Sequence, residues 1–276
     1  MSELLNILNT PEFQSKTTLM HQLHNHGIVA GDQVMVHSSL KSMGWIAGGA
    51  QAVVEALMET ITEKGTIIMP AQSADNSDPI NWMQPPVPEN WHQSIREHLP
   101  AFDPHLSGLR GMGKIAECFH RQPNTIRSPH PSHSFMAWGN HASDWMSEQP
   151  IDDSFGEKSP LAKMLKAKVK ILLIGVGFDS CTALHYAEFV QENRSTSPQG
   201  AAMMQNGERI WQTYDCVDMD SERFPEIAKD FTGNISKGVL GQAETQIVDM
   251  NELIEFGIEW IKEHPTAQNI ENASTL

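Results

Sequence analysis

An α/β fold with parallel strands is what this sequence predicts, on three observations. At residues 171–188, ILLIGVGFDSCTALHYAE, four apolar residues meet Gly175 and Gly177, then the polar turn Asp179-Ser180, then a segment with helical chemistry. That pattern is the end of a buried strand feeding a helix. At residues 34–69 a short strand, a serine- and glycine-bearing loop, an amphipathic helix and a second buried strand follow one another, the size of unit that a parallel crossover needs. The length of 276 residues lies within the range of a single large α/β domain, so one domain spanning 1–276 is expected.

Taken in order, Thr17 or Thr18 caps a short helix in which Leu19, Met20 and Leu23 are apolar neighbours, stopping at Gly27. Gly31 and Asp32 turn the chain into a strand at 33–36, and a loop at 37–49 follows. From about Ala50 a helix places Val54, Leu57, Met58 and Ile61 on one face; Gly65 ends it and 66–69 is the next strand. Residues 72–108 have little apolar periodicity and carry Pro79, Pro85, Pro86 and Pro88, which predicts a long inserted loop of the kind that covers a site, with Trp82 and Trp91 packing it down. A turn and short helix are expected at 111–119, and turn chemistry at 152–160, where Ser159 caps a helix beginning at Pro160 and burying Leu161, Met164 and Leu165. Asn206-Gly207, between 203–205 and 209–214, is the strongest short hairpin signal in the chain. A short helix at 221–231 and a strand at 242–247 lead to a final helix, capped by Asp249, with Leu253, Ile254, Gly257 and Ile261 on its buried side. Residues beyond Pro265 are expected to fray.

The formal net charge of −15 argues against a nucleic-acid or anionic-membrane partner and is compatible with a cationic or neutral small substrate. Three widely spaced cysteines (Cys118, Cys181 and Cys216) make neither a disulfide framework nor a zinc-ligand spacing, and a reducing cytoplasm is their natural setting. No export signal is expected at the N-terminus and no stretch reaches membrane-spanning length. In RSPHPSHS, Arg127, His130 and His133 cluster; Pro129 and Pro131 preclude a regular helix face, so structural or substrate-positioning histidines are favoured and no metal is expected.

Two stretches carry chemistry. In open α/β sheets a strand-to-helix corner opens into a crevice where ligands sit. There His185 and Glu188, three residues apart on one helical face, make a candidate general base with its own carboxylate partner, in a helix expected to start near residues 180–182. In the earlier loop, Ser38, Ser39 and Ser42 offer hydroxyls, and Gly44, Gly48 and Gly49 let backbone approach a phosphate-bearing ligand before a helix start. The spacing is neither a dinucleotide fingerprint nor a P-loop, and a Gly-Gly pair serves equally as a plain turn and helix start.

The runs VHSSLKSMGWIAGG, GTIIMPA, RSPHPSHS, SPLAKML and LLIGVGFDSCTALHYAE, in that order, resemble the aminoglycoside 3-N-acetyltransferase family over nearly the whole chain. The resemblance implies a three-layer α/β/α sandwich with a mixed central sheet, distinct from the GNAT acetyltransferase fold. It also implies acetyl-coenzyme A as co-substrate and transfer of acetyl to the 3-amino group of a deoxystreptamine antibiotic. On this sequence the family's coenzyme A loop falls on His37, Ser38, Ser39, Leu40, Ser42, Gly44, Gly48 and Gly49. The catalytic histidine falls on His185 and its acidic partner on Glu188. Thr182, or a backbone N–H at the helix start, is expected to donate to the oxyanion. Asp179, with Phe178 and Asp153, is expected to meet a cationic amine acceptor, although a turn or capping role suits Asp179 equally. GFDSCT and HPSHS depart from the patterns common among resistance enzymes, which leaves the acceptor open. The implied protein is a cytoplasmic monomer or homodimer that binds coenzyme A and an aminoglycoside. Another amine as acceptor, an inert coenzyme A-binding protein, and a covalent route through Cys181 remain as alternatives.

Overall fold

The computed structural model describes residues 3–266, so the expected fraying of the last residues falls almost wholly outside it. In chain order the first elements are α1 (Glu3–Leu8), α2 (Lys16–Asn25), β1 (Gln33–Ser38), α3 (Gly49–Ile61), β2 (Thr66–Pro70), α4 (His92–His98) and α5 (Lys114–His120). Next come β3 (Ile126–Arg127), β4 (Phe135–Gly139), α6 (Ala142–Trp145), α7 (Pro160–Met164), β5 (Val169–Ile174) and α8 (His185–Phe189). The chain closes with β6 (Thr196–Gln205), β7 (Glu208–Val217), α9 (Phe224–Asp230), β8 (Ile235–Leu240), β9 (Ala243–Asp249) and α10 (Met250–Glu263).

Seven strands form one mixed sheet in the order β3-β4-β2-β1-β5-β9-β8. The centre, β2-β1-β5, is parallel, and antiparallel β4 and β9 flank it. Period-two alternation divides the central strands between two cores, as it must when both faces are covered. Val34 and Val36 of β1 face one core with Leu19 of α2, Leu57 of α3 and Phe119 of α5. Met35 faces the other, with Leu161 of α7, Phe224 of α9 and Leu253 of α10. The α/β/α sandwich follows directly from that division. The chain runs from β1 to β2 on one side and later adds β5 on the other, so the order reverses at β1/β5. Crevices that hold ligands open at such switch points.

Several sequence expectations are corrected. Ser15, not Thr17 or Thr18, caps α2, because its side chain and that of Thr18 bond each other's backbone in a capping box. β1 continues through His37 and Ser38, so these two are strand residues rather than loop. Residues 72–108 hold three 3-10 turns and α4; Trp91 is exposed, while Trp82 is half-buried with its indole donating to Ser77 Oγ at 3.0 Å. β3, β4 and β8 were not expected. The cap by Ser159, with Pro160 first in α7, is as read. So is the Asp249 cap, whose Oδ1 accepts from Asn251 and Glu252 backbone N–H. The Asn206-Gly207 hairpin is longer than expected: both turn residues have positive φ, the requirement of a type I′ turn, and ten residues pair on each side.

The β6–β7 hairpin stands apart from the main sheet and holds the 72–108 segment. Phe102 N–H donates to Ala202 O (2.8 Å), Asn81 Nδ2 to Gln199 Oε1 (2.8 Å), and Arg209 Nε to Leu99 O (3.1 Å). Arg127 fastens the same segment from the sheet side. Its guanidinium donates to Ser107 O, Ala71 O, Ser73 Oγ and Ser134 Oγ and lies over the Phe102 ring, 4.9 Å from its centroid. Burial lowers its pKa to about 10, so the group stays charged at neutral pH.

Candidate active site

The C-terminal ends of β1 and β5 lie side by side, with Ser38 opposite Ile174. The loops that leave them are bonded to each other. Ser39 N–H donates to Ile174 O at 2.9 Å. Ser42 Oγ lies 3.1 Å from Gly175 O and 3.0 Å from Ser39 Oγ, so it donates to the carbonyl and accepts from the second serine. Gly175 has φ +63°, and a Cβ there would sit 2.4 Å from Ser42 Cβ, so both conformation and space require glycine. Beside this junction is a cavity of about 320 Å³ whose walls include His37, Ser38, Asp179, Thr182 and His185.

His185 is placed differently from the sequence expectation. Two 3-10 turns (Phe178–Ser180 and Thr182–Leu184) precede α8, and His185 is the first residue of this five-residue helix. With one turn of helix, a cumulative dipole contributes little. Side chains orient the ring instead. Nδ1 lies 2.6 Å from Glu188 Oε2, Phe155 stacks on the ring at 5.2 Å, and Phe224 meets it edge-on at 4.9 Å. The other carboxylate oxygen, Glu188 Oε1, accepts the Asp220 backbone N–H at 2.8 Å. Both oxygens are thus committed, and the short Nδ1–H···O⁻ bond leaves Nε2 as the ring nitrogen that faces other partners.

Three further imidazoles lie nearby. His130 is structural: its Nδ1 accepts the backbone N–H groups of Ser132 and His133 while Nε2–H donates to Ile151 O, and burial pushes its pKa down to about 4. His133 stacks between His130 and Phe155, with Nδ1 3.1 Å from Ser154 Oγ; burial, then His130 and His185, hold it well below the usual range. His37 is buried, its Nε2 has no hydrogen-bond partner, and burial followed by His185 lowers its pKa to about 3. All three are neutral at physiological pH.

Other predicted residues spread more widely. Leu40 and Ser42 belong to a 3-10 turn (Leu40–Met43), with Leu40 packed on the core. Gly48 caps α3 with φ 90°, and Gly49 opens that helix with φ 55°. Gly44 has φ 76° and lies against Gln242, which a Cβ would meet at 2.7 Å. These glycines shape the loop without lining the cavity. Phe178 packs into the core, and Asp153 accepts the Lys158 N–H at 2.7 Å; neither lines the cavity. Burial pushes the Cys181 thiol up to about 12, which leaves it protonated and inert as a nucleophile. Among the described residues no group of three or more His, Cys, Asp or Glu could hold a metal ion, and no helix is long and apolar enough to cross a membrane.

A second cavity, of about 430 Å³, shares Gln72 and Met112 with the first and reaches Asn81, Gln199, Tyr214 and Asp218. It lies between the 72–108 segment and the hairpin. The sequence reading missed Phe155, Asp218 and Asp220, which approach the dyad or its cavities only through tertiary packing. Asp220 is 32 positions from Glu188, and no local pattern marks it.

Residues 35–262 match the family model described as Aminoglycoside 3-N-acetyltransferase. The chain belongs to this family. It is 38% identical over 250 residues, 90% of this chain and 92% of the relative, to the SPbeta prophage-derived aminoglycoside N(3')-acetyltransferase-like protein YokD of Bacillus subtilis (strain 168). The crystal structure of YokD superposes with a TM-score of 0.91 at 36% identity, covering 95% of this chain and 98% of that one. Two other family structures were solved with ligands. AAC-IIIb in a binary complex with CoASH has a TM-score of 0.82 at 28% identity (93% and 99% covered). AAC-VIa bound to sisomicin has a TM-score of 0.82 at 30% identity (93% and 100% covered). The mixed seven-stranded sheet is therefore the family's fold, and this member is an acyltransferase of the aminoglycoside N-acetyltransferase type.

Proposed function

We propose that this protein transfers acetyl from acetyl-coenzyme A to the 3-amino group of a deoxystreptamine aminoglycoside by direct attack assisted by His185. The observation that carries this reading is the His185–Glu188 pair, joined at 2.6 Å in the wall of a cavity at the β1/β5 switch point. The acceptor attacks as its free amine, the ammonium having first given its extra proton to water. Nε2 of neutral His185 takes a second proton, from the attacking nitrogen, as that nitrogen bonds to the thioester carbonyl carbon. Glu188 stabilises the charge that develops on the ring. The C–S bond then breaks, and the proton passes from His185 to the departing thiolate, returning the ring to its neutral state. Thr182 supplies a hydroxyl to the oxyanion. Asp179 in the first cavity and Asp218 in the second attract the acceptor, and residues 37–49, the end of β1 and the loop after it, carry the coenzyme. The whole chain acts as one domain, with 72–108 as the cover of the acceptor side.

The test is release of free thiol from acetyl-coenzyme A in the presence of a panel of aminoglycosides. Release that depends on the antibiotic supports the reading, and His185→Ala lowers turnover by about 100-fold or more. An enzyme that turns over unchanged without His185 refutes the role given to it.

One observation favours a second reading, a different amine as acceptor. Among the described residues lining the second cavity, Asp218 is the one carboxylate, and the lining also includes a guanidinium, Arg110, that is itself paired with Asp75 at 2.8 Å. A polycation gains less there than a monoamine with neutral polar groups. Higher kcat/KM for monoamines than for sisomicin in the same panel selects this alternative.

A further inference from the structure

His37 lines the first cavity, its imidazole has no step in the chemistry above, and its environment is unusual. The ring is 6% exposed, it lies in the same cavity wall as His185, and its Nε2 is buried without a hydrogen-bond partner. An orphaned buried polar group destabilises the fold, and an isosteric apolar side chain would remove that cost. Native interiors tolerate an unmet acceptor more readily than an unmet N–H. The proton of the neutral ring therefore belongs on Nδ1, with Nε2 as the orphaned acceptor. Among the described residues no hydrogen bond engages Nδ1, and Nδ1 is not one of the buried orphan atoms, so it keeps some solvent access in a ring that lines the cavity. β1 fixes the backbone that carries the ring: His37 pairs with Leu173, Ser38 with Ile174, and Ser39 N–H bonds to Ile174 O.

The geometry points to His37 as a neutral hydrogen-bond donor to the thioester carbonyl oxygen of acetyl-coenzyme A, and then to the oxyanion that forms from it. This assignment rests on the acetyl-transfer reading above and gives one of its steps a residue. As the amine nitrogen bonds to the carbonyl carbon, the C=O electron pair moves onto oxygen, where Nδ1–H of His37 meets it beside the Thr182 hydroxyl. The pair returns to re-form C=O as the C–S bond breaks. His37 keeps its proton throughout; the proton that moves is the amine's, taken by His185 and delivered to sulfur. A neutral imidazole suits this task, since it polarises the carbonyl without placing a second positive charge beside the ring of His185. The burial and the neighbouring imidazole that hold His37 neutral serve that end.

The test uses His37→Phe, which keeps the ring volume and removes both nitrogens. Expected are an unchanged or higher melting temperature and a loss of about 100-fold in kcat, with KM for acetyl-coenzyme A within about threefold. A purely structural residue would instead lower the melting temperature or raise KM. Independently of any acceptor, the infrared carbonyl stretch of bound acetyl-coenzyme A, carbon-13-labelled at the acetyl carbonyl, is lower in frequency in the wild type than in His37→Phe. Identical bands in the two proteins, or a variant that keeps wild-type kcat, overturn the assignment to His37 alone. Failure of the wild-type protein to bind acetyl-coenzyme A at all overturns it together with the transferase reading.

Discussion

Replacing Glu188 separates the two things its carboxylate does. One oxygen receives His185 Nδ1–H at 2.6 Å and the other receives the Asp220 N–H at 2.8 Å. In Glu188→Ala the ring loses a charge-assisted hydrogen bond worth about 1.5–3 kcal/mol, and at about 1.4 kcal/mol per tenfold kcat falls roughly 10–100-fold. Glu188→Gln is the more damaging change. Its amide oxygen keeps the Asp220 N–H, so its NH2 group faces Nδ1, which must then accept. The proton moves to Nε2, and the nitrogen that should take the amine's proton is blocked. In a serine-protease triad the matching carboxylate-to-amide change costs about 10⁴ in kcat for this reason. The expected order is therefore wild type, then Ala, then Gln, measured as kcat for acceptor-dependent thiol release. Thermal melting should rank the two variants the other way, since Ala strands the Asp220 N–H and Gln does not. A Gln variant more active than the Ala variant refutes the tautomer argument.

Stability should fall on acidification because His37, His130 and His133 are all held neutral below the ordinary 6.5. Their folded pKa values are depressed, so the unfolded chain takes up these protons first. Stability is full above about pH 6.5 and is lost toward about pH 4, at up to about 1.4 kcal/mol per pH unit for each ring; urea unfolding between neutral pH and about pH 5 measures the slope, and His130→Gln should reduce it by one proton. Cys181→Ser should keep kcat within about threefold and show no ping-pong pattern in initial-rate kinetics, because a fully buried thiol with pKa near 12 is no nucleophile; a rate loss of 100-fold would restore the covalent route. Arg127→Met removes the donor to Ser107 O and to the hydroxyl oxygens of Ser73 and Ser134, and leaves Ala71 O with Ser134 Oγ alone. It should cost on the order of 3 kcal/mol and several degrees of melting temperature, with proteolytic cleavage appearing first in 72–108; a variant that melts with the wild type would show that the clip is dispensable.

The parts of the fold that could be read in advance were those whose side chains obey one period. β1, α3 and β2 carry uninterrupted apolar faces, β5 is an apolar run closed by glycine, and the type I′ turn needs the two residues it has. The missed strands lack such marks. β8, ISKGVL, is an edge strand with most side chains at least partly in water, so nothing alternates cleanly. β4, FMAWG, is largely buried on both faces and follows a proline-rich turn that masks its start. α4 hides among prolines and has no buried residue to give it a face. At the site, His185 and Glu188 were legible from their spacing, and the serine hydroxyls from their loop. The helix start was misjudged because 3-10 turns and α-helix share residue preferences over three positions. The orphaned nitrogen of His37 and the support from Asp220 depend on tertiary packing, which no local pattern encodes.

The serine bonds that tie the β1 loop to the β5 loop make the two halves of the chemistry a single rigid body. On the acetyl-transfer reading, a thioester held by one lies next to the imidazole carried by the other. Whatever adapts to a new amine must therefore be the opposite wall, the 72–108 segment and the β6–β7 hairpin, which Arg127 and Arg209 fasten from outside the reacting centre. On the same reading, exchanging that wall alone should change the range of amines without touching the acetyl-transferring half. Chimaeras that graft this wall from a relative should carry the relative's preference for amines with them.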